Sequence, residues 1–94
     1  MAELNISKHI VTLTATYCAG RKSVTKTFAL NGAAIGDYVI IKSRYLTGGF
    51  EGRTEVTLWV SDTNVITMRI TNSYAGMPVT LVAGDYEIIL IKKI

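Results

Sequence analysis

The stretch "TEVTLWVSDTNVITMRITN", residues 54–72, constrains the fold of this chain more than any other. Val56, Leu58 and Val60 alternate with their neighbours, Asp62-Thr63-Asn64 intervene, and Ile66, Met68 and Ile70 then alternate again. Apolar residues spaced by two sit on one side of an extended chain, whereas a helix needs them spaced by three and four. A three-residue polar break between two such runs is a short hairpin connection.

The same pattern recurs along most of the chain. "HIVTLTATY" (9–17) alternates, with Thr12, Thr14 and Thr16 on one face, and "KSVTKTFAL" (22–30) places Val24, Phe28 and Leu30 together, interrupted by Lys26. "DYVIIKSRY" (37–45) begins apolar and turns polar, and "YEIILIKKI" (86–94) sets Tyr86, Ile88 and Leu90 opposite Ile89 and Ile91. A short strand is expected at "PVTLV" (78–82), where Pro78 confines it to an edge or a strand start. Gly-, Asn- and Asp-containing breaks separate the runs and supply turn conformations. No segment keeps helical periodicity over 10–12 residues. The chain is therefore expected to be all-β, a small antiparallel β-sandwich of about seven short strands. Residues 1–7 are read as an N-terminal arm and 8–94 as one domain.

Composition bounds the function classes. Charged residues make up 18% of the chain and apolar ones 49%, a thinner polar coat than the ~25% charge of a usual soluble domain. Two readings account for this: apolar surface meets another chain, or Thr, Ser and Asn supply the coat. The net charge is +3, but the basic residues are scattered, and no run exceeds two. That pattern does not track a phosphate backbone, so no nucleic-acid partner is expected. No stretch approaches the ~20 apolar residues that span a bilayer, and no membrane partner is expected. One cysteine, Cys18, makes no internal disulfide. With no secretory signal visible at "MAELNISKHIV", synthesis in a cytoplasm is expected.

Residues able to do chemistry are few. His9 is the single histidine, and it stands at the far end of its run from Cys18, too distant along an extended chain to activate it. Cys18 reads as a small buried apolar group. One His, one Cys and dispersed acids give no metal-ligand spacing, and Asp62 with Asn64 reads as turn stabilisation. Glu51 and Glu55 read as solvent-facing partners of Arg53, and Gly48, Gly49 and Gly52 lead into no phosphate-binding helix. Gly36-Asp37 and Gly84-Asp85 each precede an apolar strand and read as turns at its start. Neither catalytic nor metal-ligating residues nor a cofactor are assigned, and the chain is expected not to be an enzyme. Tyr38, Tyr45, Phe50, Trp59, Tyr74 and Tyr86 are the aromatic candidates for a sugar platform, with Tyr45, Phe50 and Tyr74 forming the surface-recognition loops.

"FALNGAAIGDYVII", followed by "EVTLWVSDTNVITMRITNSYAGMPVTLVAGDYEIILIKK", resembles small virion-associated β domains of tailed bacteriophages. The shared pattern is a G-A-x-x-G-D-x-V segment, an alternating strand ending in V-S, an N-x-V/I-x-x-R-x-x-N hairpin, and G-x-Y before a closing apolar strand. It rests on Gly32, Ala33, Gly36, Asp37, Val60, Ser61, Asn64, Arg69, Asn72, Gly84 and Tyr86, between about Phe28 and Lys93. Val65-Ile66 stands where such domains often carry Thr-Val.

The resemblance implies a structural protein of the virion. With its own Met1, a single domain and no coiled-coil or collagen-like shaft in view, the chain is read as complete. It is expected to be an auxiliary (decoration) protein on the outer capsid surface, with the major capsid protein as partner and a homo-oligomer, such as a trimer, as its state. The alternative is a head-fibre or tail-fibre component that binds host-surface polysaccharide or a receptor. Trp59, Ile89 and Ile91, opposite the expected core faces, are the candidate partner-binding residues, joined by Leu4 and Ile6 of the arm.

Overall fold

The computed structural model describes residues 5–42, 46–48 and 54–93. They form β1 (Ile6–Leu13), β2 (Thr16–Cys18), β3 (Lys22–Ala29), β4 (Tyr38–Ile41), β5 (Leu46–Gly48), β6 (Thr54–Asp62), β7 (Val65–Asn72), β8 (Val79–Leu81) and β9 (Gly84–Ile91). All pairings are antiparallel, in three-stranded sheets ordered β1-β9-β4, β2-β8-β5 and β3-β7-β6. The fold is all-β and sandwich-like, as the alternation implies.

The two smaller sheets continue one another. Leu13 faces Gly84 and Thr16 faces Leu81, three residues further along each strand, so the register of β1 on β9 carries into β2 on β8. The run expected as a single strand over 9–17 is therefore interrupted at Thr14-Ala15. Lys26, reaching over from β3, donates from Nζ to the Thr14 carbonyl at 3.1 Å and to the Thr14 hydroxyl, satisfying backbone that leaves the ladder there. This interruption, mirrored at Val82-Ala83, adds one strand to the seven expected, and β5 (Leu46–Gly48), which alternation did not mark, brings the count to nine among the described residues. β1 also begins at Ile6, inside the segment expected as an arm, because Ile6 pairs with Ile91 and Ser7 with Leu90.

The core is what period two predicts. Ile66, Met68 and Ile70 of β7 are buried together with Tyr86, Ile88 and Leu90 of β9, and Leu13, Leu30, Val60, Val79 and Leu81 complete the layer between the sheets. Pro78 stands immediately before β8, which is central in its sheet, so of the two allowed places proline takes the strand start. Cys18 is buried, with its Sγ 3.2 Å from the Lys22 carbonyl.

The hairpin 62–64 is fixed by side chains. Asp62 Oδ1 accepts from the Thr63 amide at 2.7 Å, and Asn64 takes a left-handed φ of 61°, a conformation Asn tolerates better than most residues. Asn64 also holds the chain before β4: its Oδ1 accepts from the Gly32 amide at 2.8 Å, its carbonyl from Leu30, and its amide donates to Ala33.

Asp37 closes the other end of that loop, after Gly36 turns the chain at φ 100°. Its carboxylate accepts from Lys92 Nζ at 2.5 Å, from the Lys93 amide at 2.9 Å and from the Ala34 amide at 2.9 Å, tying the start of β4 to the end of β9. The Lys92 bond, then that of the Lys93 amide, lowers its pKa from 3.8 to about 2. A folded-state value below the ordinary one means that this carboxylate favours the folded chain above pH 3.8, and that the contribution vanishes as pH falls through about 2. Asp37→Asn is accordingly expected to unfold at lower denaturant than wild type at pH 6. That gap should close by pH 2, as urea titrations across the range will read.

Candidate functional site

In antiparallel pairs, directly opposed residues share a face, so the register of β1-β9-β4 fixes what its outer side presents. One row is Ile6, Ile91 and Tyr38, and the next is Lys8, Ile89 and Ile40. In the third, Ile10 faces Glu87, and beyond Glu87 the Lys42 amide donates to its carbonyl at 3.0 Å. Opposite alternation turns Val11, Val39 and Ile41 inward against the core.

Five apolar side chains thus lie side by side on an outer sheet face, and a sixth, Ile10, stands on the same face beyond Lys8 and Glu87. Ile6 is 55% exposed, Ile10 65%, Tyr38 69% and Ile40 50%, while Ile89 and Ile91, in the middle strand, are half-buried by their neighbours. The four exposed side chains offer on the order of 500 Å² of surface, toward the top of the ~300–600 Å² typical of the largest apolar patch on a monomer.

The charges stand around this patch. Glu87 Oε1 lies 3.1 Å from Lys8 Nζ and Oε2 lies 2.9 Å from Lys42 Nζ, and these two bonds, that of Lys42 foremost, lower the Glu87 pKa. The ladder continues one residue past β9, with the Lys92 amide donating to the Asn5 carbonyl at 2.9 Å. Lys93 therefore keeps the outward alternation beyond Ile91, and it is exposed.

Of the partner-binding residues named from sequence, the structure brings Ile6, Ile89 and Ile91 together on this face. Trp59 is elsewhere. It lies on the outer face of β3-β7-β6, opposite Thr67, with the Arg69 guanidinium 5.2 Å from its ring centroid. Around it that face carries Ser23, Thr25, Thr27, Thr57 and Thr71, a hydroxyl-rich surface unlike the apolar one. Tyr74 is half-buried in the 73–78 loop, which abuts the turn before β3 so closely that a Cβ on Gly20 would come within 2.7 Å of the Ala75 carbonyl oxygen. Leu4, Tyr45 and Phe50, with Glu51 and Arg53, lie outside the described residues.

Sequence reasoning missed Ile10 and Ile40, and it named Tyr38 only as an aromatic candidate for a sugar platform. In "YVII" all four residues are apolar, so alternation marks no outward side; only the pairing with β9 does.

Chemistry-bearing groups are dispersed. Ser7 Oγ lies 2.9 Å from His9 Nε2, a neighbour relation that period two creates along β1, and no carboxylate among the described residues bonds the other ring nitrogen. Among the described residues no three His, Cys, Asp or Glu side chains gather as metal ligands. A shallow cleft of about 440 Å³ between β4 and β6 is lined by Val39–Lys42 and Val56–Leu58. Among the described lining residues Lys42 is the one ionisable group. Compared with known proteins, the chain matches no family, no curated protein and no solved structure.

Proposed function

We propose that this chain is a non-enzymatic structural protein of a bacteriophage virion, an auxiliary protein seated on the outer surface of the capsid shell. Its partners are the major capsid protein and further copies of itself. The observation that carries the reading is the continuous apolar face of β1-β9-β4, which an isolated small domain gains nothing by exposing and an assembled particle covers. Adhesion through sheet faces also fits a chain whose interior is filled by two stacked layers, leaving its exterior to carry function. The phage-like pattern from Phe28 to Lys93 supplies the setting.

Co-sedimentation with empty shells tests this. Wild-type chain is expected to pellet with shells and to saturate at a fixed ratio to shell subunits. Trp59→Ala is expected to stay folded, because the indole lies on an outer face, and to bind no more tightly than wild type. A chain that stays in the supernatant at every ionic strength overturns the reading; retention on host-surface polysaccharide in its place assigns the chain to the fibre class.

A further inference from the structure

The apolar patch is rimmed by cations on three sides. Lys8 flanks it on β1, Lys42 stands at the end of β4, and Lys93 lies beyond Ile91 on the line of β9. The Lys8 and Lys42 side chains are 67% and 63% exposed, and they share the single Glu87 carboxylate. The Lys93 ammonium forms no ion pair among the described residues, so the described rim of three lysines and one glutamate is positive. Asp85, the next acidic group along the face, accepts from the Thr12 hydroxyl at 2.5 Å, one row beyond Ile10.

We propose that this face docks on a folded protein surface with an apolar centre and an acidic rim, the outer surface of the shell subunit, and not on a second copy of the chain. The inference rests on the virion reading and deepens it by naming which face meets the shell and what chemistry the shell offers there. A second copy would bring an identical positive rim against Lys8, Lys42 and Lys93, and like charges facing each other oppose association. An acidic rim meets those cations and steers the encounter, while the isoleucines and Tyr38 supply the desolvated centre. Lipid fits less well, because Glu87 stands on the same face as the residues that would enter the membrane. Contacts between copies then fall to other surfaces.

Binding to empty shells, measured across ionic strength, is the test. Affinity is expected to fall at least about tenfold from low to high salt, since exposed rim charges are screened within ~10 Å at 0.1 M. Ile40→Glu, at a position 50% exposed on the outer face, is expected to weaken binding by at least about tenfold by placing a carboxylate in the apolar centre. Glu87→Gln has the opposite sign: removing the one anion of the rim should tighten binding by about two- to fivefold. The chain alone is run in parallel by sedimentation equilibrium, and against vesicles of phosphatidylcholine and phosphatidylserine. Shell binding that ignores salt, Ile40→Glu and Glu87→Gln overturns this inference and leaves the virion reading standing. So does a self-association or a vesicle affinity that Ile40→Glu abolishes. Absence of shell binding by wild type at low salt overturns both.

Discussion

Ile88→Ala is expected to remove about 2–5 kcal/mol of unfolding free energy, the range for truncating a fully buried isoleucine. Ile88 is wholly inaccessible, in the middle of β9, between His9 of β1 and Ile41 of β4 in the ladder. Its side chain faces the layer shared with Ile66, Met68 and Ile70, and both β9 and β7 are central strands paired on both sides, so the site cannot readily collapse to fill the void. A domain this small has about 5–15 kcal/mol in total. The melting temperature should therefore drop by about 8–40 °C, at the ~4–8 °C per kcal/mol usual for this size. One residue on, at Ile89, the chain faces outward, and Ile89→Thr should change the melting temperature by only a few degrees, since it keeps a β-branched residue at a strand position. Thermal unfolding of both variants, at a concentration too low for association, reads the two faces of β9 directly. Equal losses would mean that both faces are buried within one chain.

That contrast also shows how much the sequence displays. In β7 and β9 every second residue is large and apolar while its neighbours are polar or mixed, so burial of Ile66, Met68, Ile70, Tyr86, Ile88 and Leu90 follows from spacing alone. The turn roles of Asp62, Asn64 and Asp37 follow likewise from short side chains that bond nearby amides. What spacing does not reveal is which strands become neighbours. Ile6, Tyr38 and Ile91 meet only because β9 lies between β1 and β4, a relation set by packing of distant segments. Trp59 shows the converse. An outward residue on β6 and outward residues on β9 look equivalent along the chain, yet they belong to opposite layers. The break at Thr14-Ala15 was hidden for a third reason: its alternation is unbroken in sequence, and the interruption arises where the paired strand departs at Val82-Ala83.

Asn72 is the one buried polar side chain among the described core residues, and its replacements should separate two contributions that a single variant would blur. Its amide nitrogen donates to the Met77 carbonyl at 2.8 Å and its Oδ1 accepts from the Tyr74 amide at 3.1 Å, so one side chain holds both ends of the loop between β7 and β8. Asn72→Ala leaves a donor and an acceptor without these partners, at about 1–3 kcal/mol for each group that water does not reach. Met77 is exposed, and its carbonyl recovers part of that cost from solvent. Asn72→Asp keeps the acceptor for Tyr74 but sets a buried carboxylate against the Met77 carbonyl oxygen, so at neutral pH it should be the more damaging change. Burial and that oxygen both favour the protonated acid, which raises the folded-state pKa of the introduced group above its unfolded value. Stability of the Asp variant relative to wild type should then improve as pH falls through that raised value, because the protonated carboxyl donates where the amide did. The Ala variant has no such group and should keep a constant deficit. Urea midpoints of the three proteins between pH 7 and pH 4 check this: parallel curves for Ala and wild type, converging curves for Asp. An Asp variant whose deficit does not shrink toward pH 4 would mean that the position is open to water and that the loop is held by other contacts.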